Sequence, residues 1–179
     1  MMDSVALIAG PLHLAALVLA VSGAHKLLEP EAASKALTTA GVPDALASGR
    51  IVGAIEVAAG AGLLAFGGLA ATLAVGVMYA AFAGFLLVLH RRDDAAPCGC
   101  FGASDAPPGT THLVMNLACV AVVAVAVATS TPSLTDVAAE SDMASLVGYG
   151  ALLLAGTLGV FAGTTVVEDI RHTTDLMKA

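Results

Sequence analysis

Two cysteines stand two residues apart in Pro97-Cys98-Gly99-Cys100-Phe101-Gly102. A cysteine thiolate is both a nucleophile and a metal ligand, and two thiols in reach of one another can close to a disulfide. The glycine between them lets the backbone turn tightly. Two residues this close can then meet the roughly 4.4–6.8 Å between Cα atoms that a disulfide needs. So small a ring is strained, and strained disulfides are the labile or catalytic ones. Pro97 precludes a regular helix through the pair. The spacing therefore predicts a dithiol that cycles between reduced and oxidised forms. Unremarkable loop thiols are the plain alternative, because a two-cysteine C-x-C is weaker than paired C-x-x-C motifs.

The remaining polar candidates lie in or beside apolar runs. Glu56 is an ionisable residue inside such a run, which is costly and by default a functional hypothesis. It is a candidate proton relay for a thiol reaction, or else a helix contact paired with His25 or Lys26. Asn116 reads as an interhelical hydrogen-bond former. Cys119 is a candidate resolving thiol for the loop pair, although buried cysteines are usually inert packing residues. A metal site is a rival reading, since Cys98, Cys100, His90 and His112 are ligands of the zinc type. Their spacing fits no standard finger pattern, so no metal is assigned.

Long uncharged runs must position these groups. The chain has 179 residues, 58% hydrophobic and only 12% charged, with a mean hydropathy of +0.92. Soluble domains carry about 25% charged residues, so the excess indicates an all-α integral membrane protein. The net charge of −7 argues against nucleic-acid binding. Absence of Trp and the presence of only two Tyr thin the usual interfacial aromatic belt. Met1-Met2-Asp3 lacks the basic start of a signal peptide, so the first run reads as a retained span.

Five spans are expected, at about 5–28, 51–66, 69–89, 112–128 and 145–167. Gly67-Gly68 joins the second to the third. A short surface helix is expected around 32–40, and an acidic loop over 129–142. On this reading Glu56 lies about five residues inside its span, roughly 8 Å at 1.5 Å per residue. All seven basic residues fall on one side. The positive-inside rule then puts the N-terminus outside, and the C-terminus and the cysteine loop in the cytoplasm.

The Cys-Gly-Cys-Phe-Gly stretch, set between the third and fourth spans, resembles the methylamine-utilisation MauE family and its DoxX-like relatives. The resemblance extends to Gly23-Ala24-His25-Lys26-Leu27-Leu28-Glu29-Pro30, to Glu56 and to Asn116. In the family an arginine often precedes the Asn; Met115 stands there in this chain. The resemblance implies a four-helix membrane domain over 1–130, with its cysteine loop at 91–111. Residues 131–179 then form an acidic loop, a fifth span and a tail. It further implies a thioredoxin-like partner and disulfide handling or electron supply during maturation of an exported amine dehydrogenase.

The leading functional expectation is thiol–disulfide oxidoreduction by Cys98 and Cys100, supported by Glu56, His25, Lys26, Asn116 and Cys119. The alternatives are a non-catalytic assembly factor that docks a partner through the loop, and a small metal-binding membrane protein. The chain lacks a second cysteine pair. A complete relay therefore needs a partner or a cofactor, and a quinone dissolved in the membrane lipid is one candidate.

Overall fold

The computed structural model describes residues 2–91, 110–129 and 132–176. Among them the structure is all helical, with seven helices: α1 (Met2–Leu28), α2 (Glu31–Thr39), α3 (Ala45–Phe66), α4 (Gly68–Arg91), α5 (Thr110–Val127), α6 (Leu134–Glu140) and α7 (Met143–Leu176). Five of them, α1, α3, α4, α5 and α7, are long and apolar enough to cross a membrane. The protein is an all-α membrane bundle. Leu28, Phe66, Leu69, Val77, Leu152 and Leu158 are exposed. Such residues on spanning helices face lipid, where apolar exposure is the favoured state.

Helix α1 is the axis of the bundle, packing chiefly on α3 and also on α5 and α7. Lipid tails are as apolar as the helices, so close backbone approach must hold such pairs together. The buried residues of α3 (Gly49, Gly53, Glu56, Gly60 and Leu63) recur every three or four residues and so form one face. Added Cβ atoms measure the approach. One on Gly23 would lie 2.5 Å from the Gly53 carbonyl oxygen and 2.6 Å from Glu56 Cβ; one on Gly53 would lie 2.7 Å from the Gly23 oxygen. The two backbones touch where these glycines cross.

A single residue, Gly67, separates α3 from α4. Gly67 and Gly68 have φ of 62° and 81°, a region that only glycine enters readily. The second span begins earlier than its sequence suggested, because helix α3 takes in Ala45–Arg50. Arg50 is exposed there, so its charge does not oppose the helix. Glu56 consequently stands about three turns into α3, deeper than the 8 Å expected.

The expected surface helix is present as α2. Its inner face carries Ala33 and Ala36, both buried. Ala36 joins Leu86 and Leu89 of α4 in a small apolar cluster against which Leu113 of α5 packs. This contact sets α2 across the end of α4 and the start of α5. The expected acidic loop instead contains helix α6. Ser133 caps it by a reciprocal capping box with Asp136, a signature that Ser-x-x-Asp spells only weakly. Thr135 donates to the carbonyl of Ala65, fixing α6 beside the α3–α4 turn.

Candidate functional site

The last turns of α1, the middle of α3 and of α4, and the second turn of α5 meet inside the bundle. Within this convergence Lys26 and Glu56 form a buried ion pair; their side chains are 5% and 0% exposed. Lys26 Nζ is 2.9 Å from Glu56 Oε2, to which it donates, and 2.9 Å from Oε1. Nζ also donates to Ser22 Oγ at 2.7 Å.

Helix geometry explains the arrangement. A helical side chain leans toward the N-terminus of its helix. The Lys26 side chain therefore runs back over Ser22, one turn earlier, and reaches the level at which Gly23 meets α3. Glu56 follows Gly53 by one turn, and the absence of Cβ atoms at Gly23 and Gly53 lets its carboxylate come within reach. A lone charge near the centre of a membrane helix costs about 2.5–3.5 kcal/mol on insertion scales. Pairing removes most of the reason to avoid the site, yet a buried pair seldom stabilises more than apolar packing would.

Around Lys26 lies a small cavity of about 10 Å³, lined also by Ser22, Tyr79, Phe82 and Asn116. That is about the room one water needs. Asn116 is buried and donates from Nδ2 to the His112 carbonyl at 2.7 Å. Tyr79 is buried and donates to the Ala15 carbonyl at 2.8 Å. Lys26 Nζ lies 5.5 Å from the centre of the Phe82 ring, within the range of a cation–π contact. On the far side of Phe82 a larger cleft of about 310 Å³ lies between α3 and α4, beneath α2.

The structure thus brings three of the sequence candidates together: Lys26, Glu56 and Asn116. Cys119 is half-buried and packs against the apolar core that holds Tyr79. His25 stays outside the cluster, its Nε2 3.5 Å from Glu29 one turn along α1. Lys26, one of the two expected partners of Glu56, is buried in the interior. Cys98 and Cys100 fall outside the described residues, as does the side chain of His90. His112 is buried at the start of α5. Sequence reasoning passed over Ser22, Tyr79 and Phe82. The first had a signal, a serine four residues before a lysine within a span.

A second polar contact ties α7 to the bundle. His13 is buried; its Nδ1 is 2.7 Å from Tyr149 Oη and its Nε2 2.9 Å from the Pro132 carbonyl. A carbonyl only accepts, so Nε2 carries a proton, and in the neutral ring Nδ1 accepts from the tyrosine.

The family model described as Methylamine utilisation protein MauE matches residues 3–129. That segment contains α1 to α5 with the whole cluster and the cysteine pair, and leaves out α6 and α7. No curated protein and no solved structure matches the chain.

Proposed function

Because the chain belongs to the MauE family, we propose that it is a membrane thiol–disulfide oxidoreductase whose Cys98 and Cys100 exchange with a thioredoxin-like partner. The exchange serves maturation of an exported protein of the amine-dehydrogenase type. One observation carries the reading. The only closely spaced thiol pair in the chain lies in the segment joining α4 to α5, and Phe82 of α4 and Asn116 of α5 line the small cavity beside Lys26.

The chemistry needs only the two thiols and the partner's pair. A thiolate of one side attacks a sulfur of the other side's disulfide. That S–S bond breaks, a mixed disulfide forms and a thiolate leaves. The remaining thiol of the attacking pair then attacks its own pair's sulfur in the mixed disulfide, that S–S bond breaks and the other side's second thiolate leaves, so one disulfide is made for each one broken. Lys26, Glu56 and Asn116 support the site as a buried polar cluster with room for a water, a suitable place to hold a proton. Cys119 packs the core beside it.

The exposed Lys35, Arg50 and Arg91 support a cytoplasmic position for the α1–α3 connection and the cysteine segment, with the N-terminus outside. Single Cys98→Ser and Cys100→Ser variants test the exchange. One of them is expected to accumulate a mixed disulfide with the partner, and the double variant to accumulate none and to lose maturation. If the double variant matures the target as well as the wild type, the loop acts only as a docking element.

A further inference from the structure

We propose that the cleft between α3 and α4 binds an acyl chain of a bilayer phospholipid, which enters sideways from the membrane and completes the wall beside the Lys26–Glu56 pair. The two helices join at Gly67. The residues that line the cleft lie toward their opposite ends, Gly49, Val52 and Ile55 on α3 and Met78, Phe82 and Phe85 on α4. The helices therefore part as they leave the turn. Helix α2 lies across the open end, where its Ala33 and Leu37 form a roof.

The space measures about 310 Å³. Protein interiors are close-packed, and a gap of this size left empty would deprive its walls of many dispersion contacts. The lining decides what fills it. A buried water needs about two to four polar partners. Among the described residues that line the cleft, Lys26 alone has a polar side chain, and its ammonium is engaged by Ser22 and Glu56. The lining therefore disfavours water, and any ligand whose polar groups would have to be satisfied inside the cleft. A plain hydrocarbon needs no such partner.

The mouth shows where the hydrocarbon comes from. Ile55 and Ala81 line the cleft and are exposed, and both stand on spanning helices. The cleft is thus continuous with the lipid-facing surface, while α2 covers it on the aqueous side. A chain already in the bilayer can slide in without crossing water, and its headgroup stays outside among its neighbours. Lys26 and Phe82 line both this cleft and the small cavity beside the ion pair. Hydrocarbon against their outer side keeps water from the pair, and opposite charges attract more strongly in a drier surrounding.

The chain contains no tryptophan, so one introduced indole is a single reporter, and Phe85→Trp keeps an aromatic ring in the cleft. The test places the full chain in phosphatidylcholine nanodiscs in which a rising share of the lipid carries bromine on an acyl chain, in the half nearer the headgroup. Bromine quenches indole fluorescence on contact. Emission of the Phe85→Trp protein should be blue-shifted and should fall as the brominated share rises. Adding Ala81→Phe, which fills the mouth, should remove most of that quenching. Adding Ala80→Phe, at an exposed position outside the cleft, should leave it unchanged. A Leu158→Trp reporter on the exposed side of α7 should be quenched equally with and without Ala81→Phe, which shows that this variant is folded and embedded. Quenching at position 85 that Ala81→Phe does not reduce comes from lipid on the outer surface and overturns the site. Blue-shifted emission that brominated lipid never quenches means that protein fills the cleft, and red-shifted emission means that water does; either result overturns the proposal.

Discussion

Lys26 Nζ stands 2.9 Å from both carboxylate oxygens of Glu56, beside the crossing where Gly23 and Gly53 let α1 and α3 touch. The ion pair and the helix crossing are one structural unit. Moving the backbones apart by the width of a methyl group would separate the charges, and removing one charge would leave the other stranded in an apolar interior.

The first prediction concerns that stranding. Breaking a buried pair from one side typically costs about 3–5 kcal/mol, whereas replacing both partners by apolar groups can be nearly neutral. Lys26→Met and Glu56→Leu are each expected to destabilise the purified protein within that range. The double variant should recover most of the loss. Denaturant unfolding in detergent measures all three; additive effects would show that the two charges do not depend on each other.

A second prediction follows from the crossing itself. At Gly23 and Gly53 an added Cβ meets backbone, which cannot step aside, while nothing lies within 4 Å of one at Gly62 or Gly84. Gly23→Ala and Gly53→Ala should each cost about 1–3 kcal/mol, as overpacked sites do. Gly62→Ala and Gly84→Ala should be neutral or slightly stabilising through helix propensity, worth up to about 1 kcal/mol. Thermal aggregation curves of the four variants separate the two classes.

A third prediction concerns pH at α6. Hydrogen bonds from the Ser133 hydroxyl and backbone N–H hold the Asp136 carboxyl below the usual carboxylate range. A depressed value means that the capping box stabilises α6 at pH above the ordinary aspartate range. That contribution is lost as the pH falls through the lowered value. Carboxyl-carbon NMR should find Asp136 titrating below a free aspartate, and Ser133→Ala should return it toward the normal range. An unshifted midpoint in the wild type would contradict the capping geometry.

Much of this structure could be read in the residues, for reasons that differ by element. The spans were readable because apolar length alone defines them. Helix α2 was readable because breakers at Pro30 and Gly41–Pro43 bound it. The start of α3 was misjudged because Arg50 looked like a boundary, and a charge on a lipid-facing helix end can reach water without ending the helix. Helix α6 was hidden because seven residues carry little periodicity. The polar cluster was half visible. Glu56, Lys26 and Asn116 stood out as charges or amides in apolar runs. Tyr79 and Phe82 did not, since an aromatic residue in a span is ordinary until the partner it faces is known. The pairing of Glu56 with Lys26, not His25, depended on which face of α1 meets α3, and that was fixed by Gly23.

The last prediction concerns the fifth span. Helix α7 lies beyond the family segment and packs on the bundle chiefly along α1, and the contact between Tyr149 and His13 is its polar anchor there. Tyr149→Phe removes the hydroxyl and leaves His13 Nδ1 buried without its donor, at a cost of about 1–3 kcal/mol. His13→Leu with Tyr149→Phe removes both polar atoms and should cost less than the sum of the single changes. The readout must report on α7 alone. A spin-label pair placed on the exposed Val21 of α1 and the exposed Leu154 of α7 is suited to this, because its distance distribution broadens if the helix loosens. The Tyr149→Phe distribution should be broader than the wild type. If the two coincide, apolar packing along α1 is enough to hold the fifth span, and the histidine is retained there for another reason.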